Sequence, residues 1–163
     1  MSTRCNVVLQ ETWKFKNEKG EEETTTEKIF FYRHSDGYPE GVRDTLLKFV
    51  DLINKKLIRN NPCQAGGWLI ILGAQEYDYD WDYDKEPVYR NRESKLADYL
   101  PTKYEHEYSK YGIGWKVGAY EPTTDIHGDI EYLYTIDFSE FPVKCMVDRL
   151  NGKKPTKLTR RTK

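Results

Sequence analysis

Between residues 31 and 42 the apolar pattern of this 163-residue chain changes period. Upstream, NVVLQETWKFK puts Val7, Leu9, Trp13 and Phe15 on one face of an alternating segment, the pattern of a half-buried strand. The polar stretch KNEKGEEETTTE, centred on Gly20, separates it from KIFFYRH, so the two segments read as a β-hairpin. Downstream, EGVRDTLLKFVDLINKKL places Val42, Leu46, Phe49, Val50, Ile53 and Leu57 at the spacing of an amphipathic helix. A hairpin feeding directly into a one-sided helix calls for a sheet and a helical layer sharing one core.

The remainder extends that scheme. QAGGWLIILGAQEY at 64–77 fits a buried strand or a second helix; its Ala, Leu, Gln and Glu content favours helix, and its glycines count against it. The C-terminal third turns back to β. GIGWKVGAY aligns Ile113, Trp115, Val117 and Ala119, and IEYLYTIDF aligns Ile130, Tyr132, Tyr134, Ile136 and Phe138. EPTTDIHGD reads as the turn between those two, and PVKCMVDR supplies a third strand. Short connections favour antiparallel neighbours. The expected fold is α+β: an antiparallel sheet of about five strands in the order ββ-α(α)-βββ, with one or two helices packed on one face. Residues 1–148 form one domain in this reading. The last fifteen residues carry seven Lys or Arg and no acid, and residues 149–163 read as a basic, flexible tail.

Composition narrows the function classes. Hydrophobic residues make up 37 % of the chain, yet 13 Tyr, 6 Phe and 4 Trp carry a large amphipathic payload, the mark of a folded domain with aromatic surfaces. Net charge is −1, so no overall field attracts nucleic acid, and only the basic tail offers phosphate contacts. The three cysteines are widely spaced with no CxxC pair, so neither a disulfide framework nor a zinc cluster is supported, and reduced thiols in a cytoplasmic compartment are the better reading. No apolar run is long enough for a membrane span: WLIIL is the longest. No nucleophile elbow, Walker loop, dinucleotide fingerprint or HExxH motif appears, so the balance leans away from an enzyme, and no cofactor is implied.

Two constellations carry chemistry. FYRHSDGYPEGV contains His34 and Asp36, and DIHGDIEY contains His127 and Asp129. Residues i and i+2 of an extended segment project to one side, so each pair can converge on a ligand, with Arg33 suited to an anion. Such a site would take a small molecule, a nucleotide or a metal ion. The structural alternative is that Asp36 or Ser35 caps the helix beginning near Pro39, and that His-Gly-Asp turns a hairpin. The second constellation is the run Tyr77, Asp78, Tyr79, Asp80, Trp81, Asp82, Tyr83 and Asp84. As a strand it would set carboxylates on one face, about 6.6–6.8 Å apart, and aromatic anchors on the other, a partner-binding or nucleic-acid-mimicking surface. Its structural alternative is an acidic loop whose rings lie on the core.

The strings YRHSDGYPEG and IHGDIEYLYTID resemble a pattern, YRHxDGYPxG followed by IHGDIEYxY, in small proteins of phages, prophages and bacterial genomes. That resemblance covers about half the chain and brings no established activity. It implies a phage-type accessory protein acting in the host cytoplasm, one that binds and modulates a host protein of a bacterial defence system. A structural or self-assembling role is the remaining alternative.

Overall fold

The computed structural model describes residues 3–76 and 120–160. Within them the chain forms strands β1 (Cys5–Lys16) and β2 (Glu22–Arg33), helices α1 (Pro39–Asn54) and α2 (Pro62–Glu76), and strands β3 (Glu121–Thr123), β4 (Tyr132–Asp137), β5 (Lys144–Asp148) and β6 (Thr156–Lys157). The strands make one sheet in the order β3-β2-β1-β4-β5-β6. Both helices lie against one face, so the protein is α+β, a sheet packed on helices. The strand suggested for residues 112–119 lies outside the described residues.

The hairpin β1–β2 pairs antiparallel along its whole length, from Cys5 opposite Arg33 to Lys16 opposite Glu22. Antiparallel pairing holds at β2–β3, β4–β5 and β5–β6 as well. It fails at the centre, where β4 runs parallel to β1 with Cys5 opposite Tyr132 and Gln10 opposite Asp137. The physical reason lies in burial. Residues Cys5 to Leu9 are buried without alternation, as suits a central strand covered on both faces. The segment 124–131 therefore turns no hairpin. It carries the chain from β3, at one edge, past β2 and β1 to the start of β4.

One face of the sheet presents Cys5, Val7, Leu9, Phe31, Tyr134, Ile136 and Cys145 to Val42, Leu46, Phe49 and Ile53 of α1 and to Ala65 and Leu69 of α2. At Gly66 an added Cβ would come within 2.9 Å of the Phe31 ring, so the missing side chain is what lets α2 approach β2. Asn61 caps α2, its Oδ1 accepting from the Gln64 amide at 3.2 Å. Neither Ser35 nor Asp36 caps α1. Tyr38 occupies that position with no side-chain cap bond, and Pro39 begins the first turn. At its other end α1 stops at Asn54, because Lys56 turns to φ 58° and the Leu57 amide folds back to the Leu52 carbonyl. Leu57, on the apolar stripe in sequence, is thereby left 68 % exposed.

The basic C-terminal segment is seated, at least as far as its middle. β6 pairs with β5, the Leu158 amide donates to the Cys145 carbonyl, and the Leu158 side chain is buried in the core. A single apolar side chain among the cations supplies the anchor. Cys5 and Cys145 are buried free thiols and Cys63 is an exposed one. No helix among the described residues is long and apolar enough to cross a membrane.

Candidate functional site

Three chain segments meet where β1 and β4 begin and β2 ends. The Gly37 amide donates to the Thr3 carbonyl at 2.8 Å, and the Glu131 amide donates to the Arg4 carbonyl at 3.0 Å. Residues 3–6 are thus held between the two motifs that contain His34 and His127. The buried Tyr134 hydroxyl reaches across from β4 to donate to the Gly37 carbonyl at 2.9 Å. Burial pushes the Tyr134 phenol far above its usual range, so it remains a donor throughout the working pH range.

On the face away from the helices, the two histidines meet one side chain. Tyr32 stacks on the His127 ring with centroids 4.0 Å apart and planes 16° from parallel. The His34 ring meets Tyr32 edge-on at 6.0 Å. The Tyr32 hydroxyl lies 3.3 Å from His34 Nδ1 and donates to Asp129 Oδ2 at 3.4 Å. Both contacts are long. Arg4 Nη1 bonds the same Asp129 oxygen at 2.7 Å, a charge-assisted contact stronger than either. Burial, and after it the Asp129 carboxylate, raises the Tyr32 phenol above its ordinary value.

A second ladder holds His127 from below. Its backbone amide donates to Asn6 Oδ1 at 2.9 Å, and Asn6 Nδ2 donates to the Phe31 carbonyl at 2.9 Å. Asn6 is fully buried, and both ends of its amide are satisfied, as burial of a polar group requires. His127 Nε2 lies 3.1 Å from the Thr123 hydroxyl. The 124–131 crossing is therefore pinned to the sheet through Asn6, Tyr32 and Arg4.

The structure brings together His34, His127 and Asp129. It does not bring in Asp36 or Arg33. Asp36 sits at φ 55° in the turn, its carbonyl against the space that an α1 side chain at Gly41 would occupy. Arg33 points to the helix side, where its Nε donates to the Ser35 carbonyl at 2.7 Å and its guanidinium lies 5.2 Å from the Tyr120 ring centre. Arg33 holds the loop. Among the described residues no group of three His, Cys, Asp or Glu side chains is placed to hold a metal ion. Tyr77, Asp78, Tyr79, Asp80, Trp81, Asp82, Tyr83 and Asp84 lie outside the described residues.

Arg4, Asn6 and Tyr32 were not singled out from sequence. Tyr32 had a usable signal: two residues before His34 in an extended segment, it shares that residue's face, whereas Arg33 takes the other. Arg4 and Asn6 had none, since their role depends on the distant 124–131 segment crossing above them.

No family model and no solved structure matches the chain. Among curated proteins, the chain is 35 % identical over 68 residues to a mitochondrial cytochrome b-c1 complex catalytic subunit of Candida albicans. The aligned part is 39 % of this chain and 23 % of that protein, so the chain spans about a quarter of its relative's length.

Proposed function

We propose that this protein binds a small anionic ligand, of nucleotide type, over the surface formed by Tyr32, His34, His127 and Arg4. The observation that carries this reading is that both histidine rings meet the same tyrosine although their motifs are 93 residues apart (His34 and His127). An exposed imidazole lying on a buried phenol presents a flat face to a planar ring. Arginine and imidazole donors nearby suit phosphate or carboxylate oxygens. Binding is favoured over turnover because Asp129, the carboxylate best placed to act as a base, is already engaged by Arg4 and Tyr32. Thermal shift with ATP, GMP, inorganic phosphate and magnesium ion, each alone, tests the proposal. A ligand at about a hundred times its Kd stabilises by about 2.7 kcal/mol. The melting temperature should rise with a nucleotide and not with magnesium alone, and His127→Ala should abolish the rise. No shift at millimolar nucleotide, or an equal shift in His127→Ala, refutes it.

A second reading rests on the Tyr/Asp alternation of residues 77–84 and on the phage-type resemblance. We propose that this run contacts a host protein, so the chain acts as a modulator in the host cytoplasm. Replacing Asp78, Asp80, Asp82 and Asp84 by Asn should weaken capture of that protein from host lysate and flatten its salt dependence. Unchanged capture would sink this reading.

A further inference from the structure

At the opposite end of the sheet from Tyr32, the close of α1 and the turn after β4 enclose a groove. It has a volume of about 490 Å³ and is lined by residues 56–60 together with Ile53 and Phe141. That volume suits one bulky side chain together with its neighbours on a peptide. Of these, Ile53 and Ile58 are buried, while Leu57 and Phe141 stand out of the surface at 68 % and 57 % exposure. Both line the same groove, which gathers exposed apolar surface into one concave place. Among the described residues the walls carry cations and no carboxylate. Lys56 Nζ lies 5.9 Å from the Phe141 ring centre, and Arg59 Nη1 donates to Gln64 Oε1 at 3.2 Å. The groove also has firm supports: Asn54 bonds both the amide and the carbonyl of Val143, at 2.8 and 3.0 Å, tying α1 to the residue that leads into β5.

We propose that this groove docks an acidic peptide segment of a partner protein, with one large apolar side chain seated between Leu57 and Phe141 and flanking carboxylates on Lys56 and Arg59. Charge complementarity selects the occupant. A basic peptide would face two like charges at close quarters, and a neutral apolar one would forgo the attraction that Lys56 and Arg59 offer to carboxylates. The left-handed turn at Lys56 has a direct bearing on this. By ending α1 early it exposes Leu57 and sets the Lys56 ammonium over the Phe141 ring, so a carboxylate and an apolar side chain can be met side by side. This site is independent of the ligand surface around Tyr32. α1 begins beside that surface and runs about 24 Å to the groove at 1.5 Å per residue.

The test uses the full chain and three fluorescein-labelled peptides of equal length: glutamate and glycine with one central tryptophan, the same with alanine for tryptophan, and the same with lysine for glutamate. Anisotropy should show the acidic tryptophan peptide binding with a Kd of about 10–100 µM at moderate salt, weakening as salt rises. The other two should bind at least about tenfold more weakly. Lys56→Glu/Arg59→Glu should remove the binding, and Leu57→Ser, at an exposed position that the fold does not need, should reduce it about fivefold or more. The inference is overturned if the three peptides bind alike, if none binds below about 1 mM, or if both variants bind as the wild type does.

Discussion

Gly37→Ala tests how tightly the His34 loop is locked to the first strand. A Cβ built on Gly37 falls 2.8 Å from the Arg4 carbonyl carbon, 2.8 Å from the Cys5 amide nitrogen and 2.9 Å from the Cys5 Cβ. None of these atoms is the end of a flexible side chain, so the loop itself must retreat by several tenths of an ångström. That movement strains the Gly37 amide bond to Thr3 and the Tyr134 bond to the Gly37 carbonyl. Overpacking of this kind costs about 1–3 kcal/mol, and a weakened buried hydrogen bond adds about 1 kcal/mol. Loss of glycine's freedom in the unfolded chain returns about 0.4–1 kcal/mol. The net destabilisation is about 2 kcal/mol, a fall in Tm of roughly 4–8 °C for a domain of this size. Urea denaturation and calorimetry on both proteins measure it. Gly128→Ala is the matched control: it lies in the other motif, has no atom within 4 Å of its added Cβ, and should leave stability within about 0.5 kcal/mol of wild type or slightly raise it. If Gly37→Ala is as stable as wild type, or if Gly128→Ala falls as far, close packing of the loop on β1 is not what fixes it.

Asn6→Ala removes the link between β2 and the 124–131 crossing and strands a buried carbonyl and amide. It should cost about 1–3 kcal/mol in urea unfolding and speed hydrogen exchange at the His127 amide; a loss within error would contradict the role given to Asn6. Tyr134→Phe leaves the Gly37 carbonyl without its donor and should lower stability by about 1–2 kcal/mol, and a variant as stable as wild type would show that bond to contribute nothing. Cys63 donates to Glu27 at 2.8 Å, and this bond, more than burial, holds the thiol above its ordinary range. Because the carboxylate disfavours the thiolate, Glu27→Gln should lower the thiol's pKa and speed iodoacetamide alkylation at pH 8 about three- to tenfold, with Cys5 and Cys145 protected by burial. Alkylation at an unchanged rate would refute that coupling.

The amphipathic helix was legible because Val42, Leu46, Phe49, Val50 and Ile53 repeat at its period and all five are buried. Its end was not, since periodicity carries on through Leu57 while a single left-handed residue, Lys56, stops the helix. α2 was legible in composition, and the buried Gly66 against Phe31 accounts for a glycine that counted against it. Strand partners were the weakest point. Alternation of Val7, Leu9, Trp13 and Phe15 reads as a half-buried strand, yet Cys5 to Leu9 are buried on both faces, Asn6 included, and nothing local says which strand will cover them. The same limit applies at the site. Local spacing puts Tyr32 beside His34, whereas the stacking of Tyr32 on His127 depends on where a distant segment crosses the sheet. Arg33 shows the converse: a cation next to a histidine in sequence, turned to the other face by one residue of pleat.

The parallel pairing of β1 with β4 also imposes an order on synthesis. The β1–β2 hairpin is complete in the chain by Arg33, but the strand that covers the other edge of Cys5–Gln10 begins only at Tyr132. At ribosomal rates of about 5–20 residues per second, that edge waits roughly 5–20 s for its neighbour. During the interval it offers an apolar row of unpaired amides and carbonyls, the kind of template on which nascent chains aggregate. A fragment ending before β4 would keep that edge open permanently, so C-terminal truncations should surface as insoluble protein and chaperone clients, not as smaller folded domains.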